Sequence, residues 1–537
     1  MQHGLKSRHH QSTIALLVCG FFIYFVNLGQ QALRTWDEGV YANLARRILS
    51  SGDWLITFWR PIGEGVTPYL EKPPLGIWLE AASMKAFGIH EVAARLPSAI
   101  CAVLLGLLAY RIACKLYDQT AGFLAGIILL TTAYLFEGTN AGTQGGVDVP
   151  FVLFGTLLVV FVWQSRSWRD IAVAAVAGGL AAMTKGVGAG VFLVIIAPLF
   201  LTRRHHLYQV KSVISIGAAL LLTALWPIYA YVNHSSEFLD QMWRNQVVER
   251  VEGGLATREG TLFDFMHYPY FNDFPVHFAP WSLLLIPAVV VGIYHWRQRG
   301  KASPEPFLIW WFVSTYLFFA LVRGNHGWYI LPAIFPQALL VGNMVRGTLS
   351  LNYADMMGCG VGYIGLAVWR LKEGDWCTPV ALGLLLAGLV CFGKWGDVIA
   401  RKTPLVPTQR NIALLPCGSL VFAALLVAGA PPMPLPESDR APPHMPQEAG
   451  ALAGDYIRMH TDPDDNIQFA PRLTRERHLR TLRFHAQRSI TRTSQAGEFP
   501  IIVTQYHVPD RYAEEGRVIP FTDGTWTYYV IRRNVSN

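Results

Sequence analysis

Four carboxylate residues stand beside apolar runs, where a charged side chain is costly and needs a reason. Asp37 and Glu38 follow the run "IALLVCGFFIYFVNL", Glu71 begins "EKPPLGIW", and Asp148 begins "DVPFVLF". A carboxylate at a lipid surface can take a proton from an attacking hydroxyl group or bind a divalent metal ion. We therefore take Asp37, Glu71 and Asp148 as candidate catalytic residues.

Several cations accompany these acids on what the topology below predicts to be the outer side of a membrane. Basic residues are depleted on that side, so their presence is informative. Lys and Arg bind lipid phosphate through charge-assisted hydrogen bonds, although each could instead meet ordinary lipid headgroups. The candidate phosphate ligands are Lys72, Lys185, Arg250 and Arg323, with Tyr329 and His326 as neutral donors.

Each acid also has a purely structural explanation. Thr35 and Glu38 have the spacing of a capping box, so Glu38 could cap a helix or act as a second acid. Asp148 could be a helix N-cap. Glu71 and Lys72 could be an exposed ion pair, which would contribute little to stability.

The composition indicates a membrane protein with many spans. Of 537 residues, 52% are hydrophobic and only 15% are charged, too few to cover a water-facing surface of this length. The net charge of +8 does not require a nucleic-acid partner, and none is expected. The seven cysteines lie in or beside apolar runs without a CxxC pair, which predicts neither disulfides nor a zinc site.

Apolar runs long enough to span a bilayer predict a mostly α-helical fold with about thirteen transmembrane helices. The predicted spans are 13–33, 92–112, 119–137, 147–164, 170–184, 187–202, 211–232, 277–295, 306–322, 328–345, 355–370, 377–394 and 410–430.

Basic residues fall in every second connection, which predicts a cytoplasmic N-terminus and an odd number of spans. Residues 1–430 would then form a transmembrane domain with outer loops at 34–91 and 233–276. A Pro-rich linker follows at 431–448. Residues 449–537 contain the short β-prone runs "NIQFA", "FPIIVTQYHV" and "WTYYVIRR", which predict a small α/β domain outside the membrane.

Local patterns predict how the acids are presented. Val40, Leu44 and Ile48 recur at helical spacing, so a helix lying on the membrane surface should follow Asp37. The pair Pro73–Pro74 keeps the preceding residues extended, and a second helix can start after it.

Acids and phosphate-binding cations at a lipid interface suit transfer of a sugar from a polyprenyl phosphate. The cations would stabilise the departing phosphate, and an aspartate would take the proton from the acceptor hydroxyl. The chain contains neither a P-loop nor a Rossmann glycine pattern, and this reaction needs no nucleotide.

The ordered runs "DEGVYANLARRILSSGDW", "EKPPLGIW", "RLPSA", "DVPFVLF", "TKG" and "WYILPAIFPQALL" resemble the integral-membrane GT-C glycosyltransferases. They are most similar to the aminoarabinose-transferase and dolichyl-phosphate-mannose protein mannosyltransferase group. The resemblance implies inverting transfer from a polyprenyl-phosphate sugar at the outer face of a bacterial inner membrane, with a periplasmic C-terminal domain. It implies that Asp37 is the base, that Lys72, paired with Glu71, binds the lipid phosphate, and that Arg250 is a second phosphate ligand.

Other readings stay open at this point. The acceptor could be a hydroxyl or phosphate of a lipid A-like glycolipid, or a protein Ser or Thr. A transporter or flippase of polyprenyl glycolipids would also carry many spans, although the chain shows no internal repeat. No cofactor is predicted, but Asp37, Glu71 and Asp148 could hold a divalent metal ion.

Overall fold

The computed structural model describes most of the first 352 residues and five later strands. These are residues 2–34, 37–59, 67–136, 138, 140–202, 204–248, 277–321, 327–350 and 352, and strands between 467 and 533. Arg250, Arg323 and His326 lie outside the described residues. So do the predicted spans at 355–370, 377–394 and 410–430 and the linker at 431–448.

The described N-terminal part is almost entirely helical. Its α-helices are α1 (Gln2–Tyr24), α2 (Asp37–Ser51), α3 (Leu75–Phe87), α4 (Glu91–Leu116), α5 (Gln119–Leu130), α6 (Ala133–Phe136), α7 (Asp148–Trp163), α8 (Trp168–Lys185), α9 (Gly190–Ile196), α10 (Leu199–Thr202), α11 (Arg204–Leu207), α12 (Val210–Asn233), α13 (Ser235–Phe238), α14 (Ser282–Arg299), α15 (Glu305–Leu321) and α16 (Ile334–Leu349). In this described part, three segments form 3-10 helix, namely Gly186–Ala189, Gly300–Ala302 and Gly327–Ala333. Leu239–Val248 forms a π-helix.

Several helical stretches can cross a membrane. In the described part, four are long and apolar enough, namely Glu91–Leu116, Trp168–Ile196, Val210–Asn233 and Gly327–Leu349. Shorter apolar helices cover Gln119–Leu130, Asp148–Trp163 and Glu305–Ala320. All of these lie at predicted spans, Trp168–Ile196 covering the fifth and part of the sixth together, and the total of thirteen stays a prediction. Helix α1 ends at Tyr24, well before the predicted end of the first span at residue 33.

The chain reverses direction after α8, as the predicted boundary between the fifth and sixth spans requires. Gly186 has a φ of +59°, a left-handed conformation that favours glycine, directly after Lys185. Phe192 on α9 then packs against Phe151 on α7, with ring centroids 5.1 Å apart. Helix α9 therefore runs back along α7, and the turn at Lys185 lies near the first residue of α7.

A small hydrophobic cluster supports the region that carries the candidate acids. It joins α2, α3 and the start of α4 to Val147, just before α7. Leu44 and Ile48, predicted to lie on one helix face, are both buried here. Full burial of each contributes about 1.5–3 kcal/mol, which holds α2 against α3.

Two small sheets complete the described structure. Strands β1 (Phe58–Trp59) and β2 (Thr67–Pro68) pair antiparallel ahead of Glu71. The C-terminal strands β3 (Ile467–Phe469), β4 (Ile490–Arg492), β5 (Ile501–Gln505), β6 (Gly516–Thr522) and β7 (Thr527–Arg533) form a mixed sheet in the order β4-β3-β5-β7-β6. The three β-prone runs contain β3, β5 and β7. The helices of the predicted α/β domain lie outside the described residues.

Candidate active site

Asp37 is the first residue of α2 and is held from two sides. Its Oδ2 atom lies 3.9 Å from Lys72 Nζ and accepts a hydrogen bond of 3.3 Å from Asn140 Nδ2. The Asp37 side chain is 25% exposed, against 2% for Asp148. Asp37 is thus the more accessible of these two acids, as a group that meets an incoming acceptor must be.

Lys72 contacts both Asp37 and an aromatic residue one helical turn further along α2. Its Nζ donates to the Tyr41 hydroxyl and lies 4.9 Å from the centroid of the Tyr41 ring. The segment leading to Lys72 is held by Gln241, whose Oε1 accepts from Leu70 N at 2.8 Å. Gln241 Nε2 donates to the Pro68 carbonyl at 2.9 Å.

Asp148 and Lys185 form a second acid–lysine pair. Lys185 Nζ donates to Asp148 Oδ1, and both side chains are largely buried. Val147 takes the N-cap position of α7, and the Asp148 side chain makes no capping bond, so the N-cap explanation of Asp148 is wrong. Lys185 Nζ also lies 4.7 Å from the ring centroid of Tyr329, which brings that predicted residue to the site.

The predicted acids converge around Tyr41. Burial first, and then the charge of Asp37, raises the pKa of Tyr41, with smaller contributions from Tyr69, Asp148 and Glu71. The Tyr41 hydroxyl therefore stays protonated near neutral pH. The charges of Asp37, Asp148 and Glu71 thus act on one neutral hydroxyl group, which accepts a hydrogen bond from Lys72.

Backbone contacts bring the two lysine segments side by side. A Cβ atom added to Gly186, next to Lys185, would lie 3.4 Å from Pro73 Cδ, next to Lys72. One added to Gly146, two residues before Asp148, would lie 3.8 Å from the Tyr41 ring. The three segments therefore lie near one another, and the positive φ angles of Gly186 (+59°) and Gly146 (+147°) favour glycine at both positions.

Glu38 has a larger role than the predicted helix cap. Its Oε2 accepts from Arg34 N at 2.7 Å, and its Oε1 accepts from Gly145 N at 3.0 Å. Arg95 Nε donates to Glu38 Oε1 at 2.6 Å, and both side chains are at most 5% exposed. Thr35, the predicted partner in a capping box, lies outside the described residues. Glu38 is a buried clamp between α2, α4 and the segment before α7.

The metal site that Asp37, Glu71 and Asp148 could have formed is not assembled in the described part of the chain. There, no group of three or more His, Cys, Asp or Glu residues is arranged to hold a metal ion.

Comparisons with known proteins show which transferases the chain resembles. Residues 71–231 match the family described as dolichyl-phosphate-mannose-protein mannosyltransferase. The undecaprenyl phosphate-alpha-4-amino-4-deoxy-L-arabinose arabinosyl transferase of Pectobacterium atrosepticum is 26% identical over 81% of this chain and 78% of its own length. The transferase of the same name from Pseudomonas aeruginosa strain PAO1 is 28% identical over 74% and 78%.

A solved structure shares the fold over almost the whole chain. It is ArnT from Cupriavidus metallidurans bound to undecaprenyl phosphate, with a TM-score of 0.67, 18% identity, and coverage of 97% of this chain and 98% of that one. These comparisons confirm the predicted resemblance to the GT-C membrane glycosyltransferases. The predicted enzyme class, with a lipid-phosphate sugar donor, is confirmed, and the names of these relatives specify a donor and a sugar but no acceptor.

Sequence reasoning missed several residues of the candidate site. Tyr41 carried a signal, because a residue four positions after Asp37 shares its helix face. Arg95 carried one too, as a charge inside the predicted span 92–112. No sequence pattern pointed to Asn140 or Gln241, because their partners are distant in sequence and only the tertiary fold brings them together.

Proposed function

We propose that this glycosyltransferase moves a sugar of the 4-amino-4-deoxy-L-arabinose type from undecaprenyl phosphate to a cell-envelope glycolipid, with inversion at the anomeric carbon. The observation that carries the proposal is the pair of acid–lysine contacts around Tyr41, Asp37 with Lys72 and Asp148 with Lys185. The names of the relatives, which specify this donor and sugar, support the same choice.

The two lysines bind the lipid phosphate. Each is a cation in contact with a carboxylate, and each can offer a charge-assisted hydrogen bond to phosphate. As the glycosidic bond breaks, the phosphate gains negative charge, and the ammonium groups stabilise it. Tyr329, packed against Lys185, is a further phosphate ligand, and Arg250 and Arg323 keep the phosphate-binding role proposed from the sequence.

Asp37 accepts the proton. The acceptor hydroxyl oxygen forms a bond to the anomeric carbon while the bond from that carbon to the phosphate oxygen breaks. The departing undecaprenyl phosphate keeps the electron pair of that bond, and the hydroxyl proton passes to Asp37. Asn140 holds one oxygen of the Asp37 carboxylate and so orients the base for this transfer.

Asp148 and Glu71 complete the proposed catalytic set. Asp148 holds Lys185 through Oδ1, and its Oδ2 is buried without a hydrogen-bond partner among the described residues. That oxygen is placed to accept a hydrogen bond from the bound sugar. Glu71 lies close enough to Tyr41 for its charge to act on the hydroxyl, and it steadies the Lys72 segment.

The proposed setting is the outer face of a bacterial inner membrane. The N-terminus would lie in the cytoplasm, and residues 449–537 would form a periplasmic domain. This arrangement rests on the alternation of basic connections along the sequence. Donor and acceptor would then both reach the site from the surrounding lipid.

The test is a transfer assay with purified protein in liposomes. Undecaprenyl-phosphate-linked aminoarabinose is supplied with a lipid A-type glycolipid in one arm and a Ser/Thr-rich peptide in another, and products are weighed by mass spectrometry. We expect the glycolipid to gain one sugar. Sugar on the peptide alone would show that the acceptor is a protein and not a glycolipid. No transfer to either acceptor would contradict the proposed donor and sugar.

Replacing Lys72 by Met should weaken undecaprenyl phosphate binding about 10–100-fold, because one charge-assisted hydrogen bond of about 1.5–3 kcal/mol is lost. Binding can be followed by titrating the lipid phosphate into protein in micelles. Lys85→Met removes an exposed lysine from α3 and should leave the affinity unchanged. Equal affinities for Lys72→Met and the wild type would remove Lys72 from the phosphate site.

A further inference from the structure

A buried acid lies behind the active site without a use in the proposed chemistry. Glu80 on α3 is 1% exposed, and its carboxylate oxygens make no well-formed hydrogen bond among the described residues, where the Gly146 N–H is the one donor near enough to act on them. An ionised carboxylate in that position would be very costly, whereas a protonated one would not. The position of Glu80 therefore calls for a neutral acid.

Glu80 shares its surroundings with the Glu38 clamp. A Cβ atom added to Gly145 would lie 3.4 Å from both Glu80 Oε1 and Glu38 Cγ, so the two acids flank this glycine. Glu38 already holds the Arg95 guanidinium and two backbone N–H groups. One guanidinium balances one carboxylate, which leaves Glu80 as the acid that keeps its proton.

The segment that these acids support carries two residues of the active site. Asn140, near its start, donates to Asp37, and Asp148, at its end, accepts from Lys185. Between them, the Gly146 carbonyl accepts from Ser98 Oγ at 3.2 Å. A shift of Gly145 and Gly146 would therefore move both Asn140 and Asp148.

We propose that Glu80 is a positioning residue, a neutral acid that supports segment 140–148 from behind and keeps Asn140 and Asp148 in contact with Asp37 and Lys185. The inference deepens the proposed function, on which its catalytic part rests. Glu80 itself touches no reacting group.

The electrostatics agree with this geometry. Burial is the largest cause of the raised pKa of Glu80, and the charge of the Glu38 carboxylate raises this pKa further. The Gly146 N–H lowers the pKa by a smaller amount. Of the charged groups described on α2, α4 and α8, which pack against α3, Glu38 is the one whose charge acts on Glu80. Because the folded pKa lies above the unfolded value of about 4.3, folding stability should fall as pH rises above that value.

The first experiment tests the protonation state without using activity. Thermal unfolding of the wild type, Glu80→Gln and Glu237→Gln is measured in micelles from about pH 5 to about pH 9. The amide keeps the shape of a protonated acid and cannot ionise, so the Tm of Glu80→Gln should exceed that of the wild type by a margin that grows with pH. Glu237 is exposed, and its replacement should follow the wild-type curve. A Tm for Glu80→Gln below the wild type throughout this range would show an ionised, stabilising Glu80 and overturn the proposal.

The second experiment tests positioning in the same proteins, with Glu80→Ala added. Gln should keep kcat within about twofold of the wild type, whereas Ala should lower kcat about tenfold with little change in the KM for donor. Equal kcat values for Ala and the wild type would end the positioning role. A wild type inactive on every donor would count against the proposed function alone, because the unfolding curves would still decide the state of Glu80.

Discussion

Replacing Asp37 by Asn should lower kcat for sugar transfer to a hydroxyl acceptor by about 10²–10⁴-fold. The amide keeps the size of the side chain but cannot accept the hydroxyl proton in the transition state. Lys72 retains its contact with Tyr41, so the KM for the donor should change far less than kcat. The measurement is initial-rate kinetics in liposomes at equal amounts of inserted protein.

The matched control is Asp240→Asn. Asp240 is an exposed acid in a surface pair with Arg244, 3.8 Å apart, and such pairs contribute little. Its replacement should leave both kinetic constants unchanged. Full kcat in Asp37→Asn would eliminate Asp37 as the base and direct attention to Asp148 and Glu71. A rise in donor KM at constant kcat would instead make Asp37 a support for Lys72.

The same variant separates the two kinds of glycolipid acceptor. A hydroxyl must lose its proton as it attacks, whereas a phosphate oxygen is already an anion near neutral pH. Loss of Asp37 should therefore reduce transfer to a hydroxyl much more than transfer to a phosphate. If a glycolipid phosphate is the natural acceptor, the main role of Asp37 moves from proton transfer to holding Lys72 and orienting the acceptor.

The candidate acids were recognisable because each stands at a boundary in the sequence. Asp37 follows an apolar run, Glu71 precedes two prolines, and Asp148 begins a span. Such positions are conspicuous, since charges beside a bilayer are costly. The pairing of Asp148 with Lys185 was not predictable in the same way. Lys185 faces Asp148 because the chain reverses at Gly186, and the sequence shows only a short "TKG" turn there.

The residues that support the candidate site were harder to predict from the sequence than the candidate site residues. The sequence explained Glu38 as a cap, since a local partner was available at the right spacing. Its distant partners, Arg95 and Gly145, are 57 and 107 residues away. Glu80 looked like one polar residue in an apolar helix, and its role depends on what α2 and α4 place around it. Local patterns reveal candidate chemistry, whereas long-range packing decides which acids are ionised.

Replacing Arg95 by Met should destabilise the fold by about 3–5 kcal/mol, the usual result of leaving one partner of a buried ion pair alone. Arg95 serves more than Glu38. Its Nη1 donates to the carbonyls of Leu28 and Gln31, each at 2.8 Å, and its Nη2 donates to the carbonyl of Ala32 at 3.1 Å. Arg95 therefore secures the connection between α1 and α2 as well as the start of α2. The measurement is thermal and denaturant unfolding in micelles.

A double variant separates the contribution of the Arg95–Glu38 ion pair from that of the hydrogen bonds between Arg95 and the three carbonyls. If the buried Glu38 charge causes most of the loss, Arg95→Met with Glu38→Gln should be more stable than Arg95→Met alone, because no unpaired charge remains. The matched surface case is Arg244→Met, which removes an exposed partner of Asp240 and should cost less than about 1 kcal/mol. If Arg95→Met also cost less than about 1 kcal/mol, the buried ion pair between Arg95 and Glu38 would not contribute to stability as proposed. A double variant no more stable than Arg95→Met would place the cost in the three carbonyl contacts, and Arg95 would then act chiefly as the clasp on the backbone that leads into Asp37.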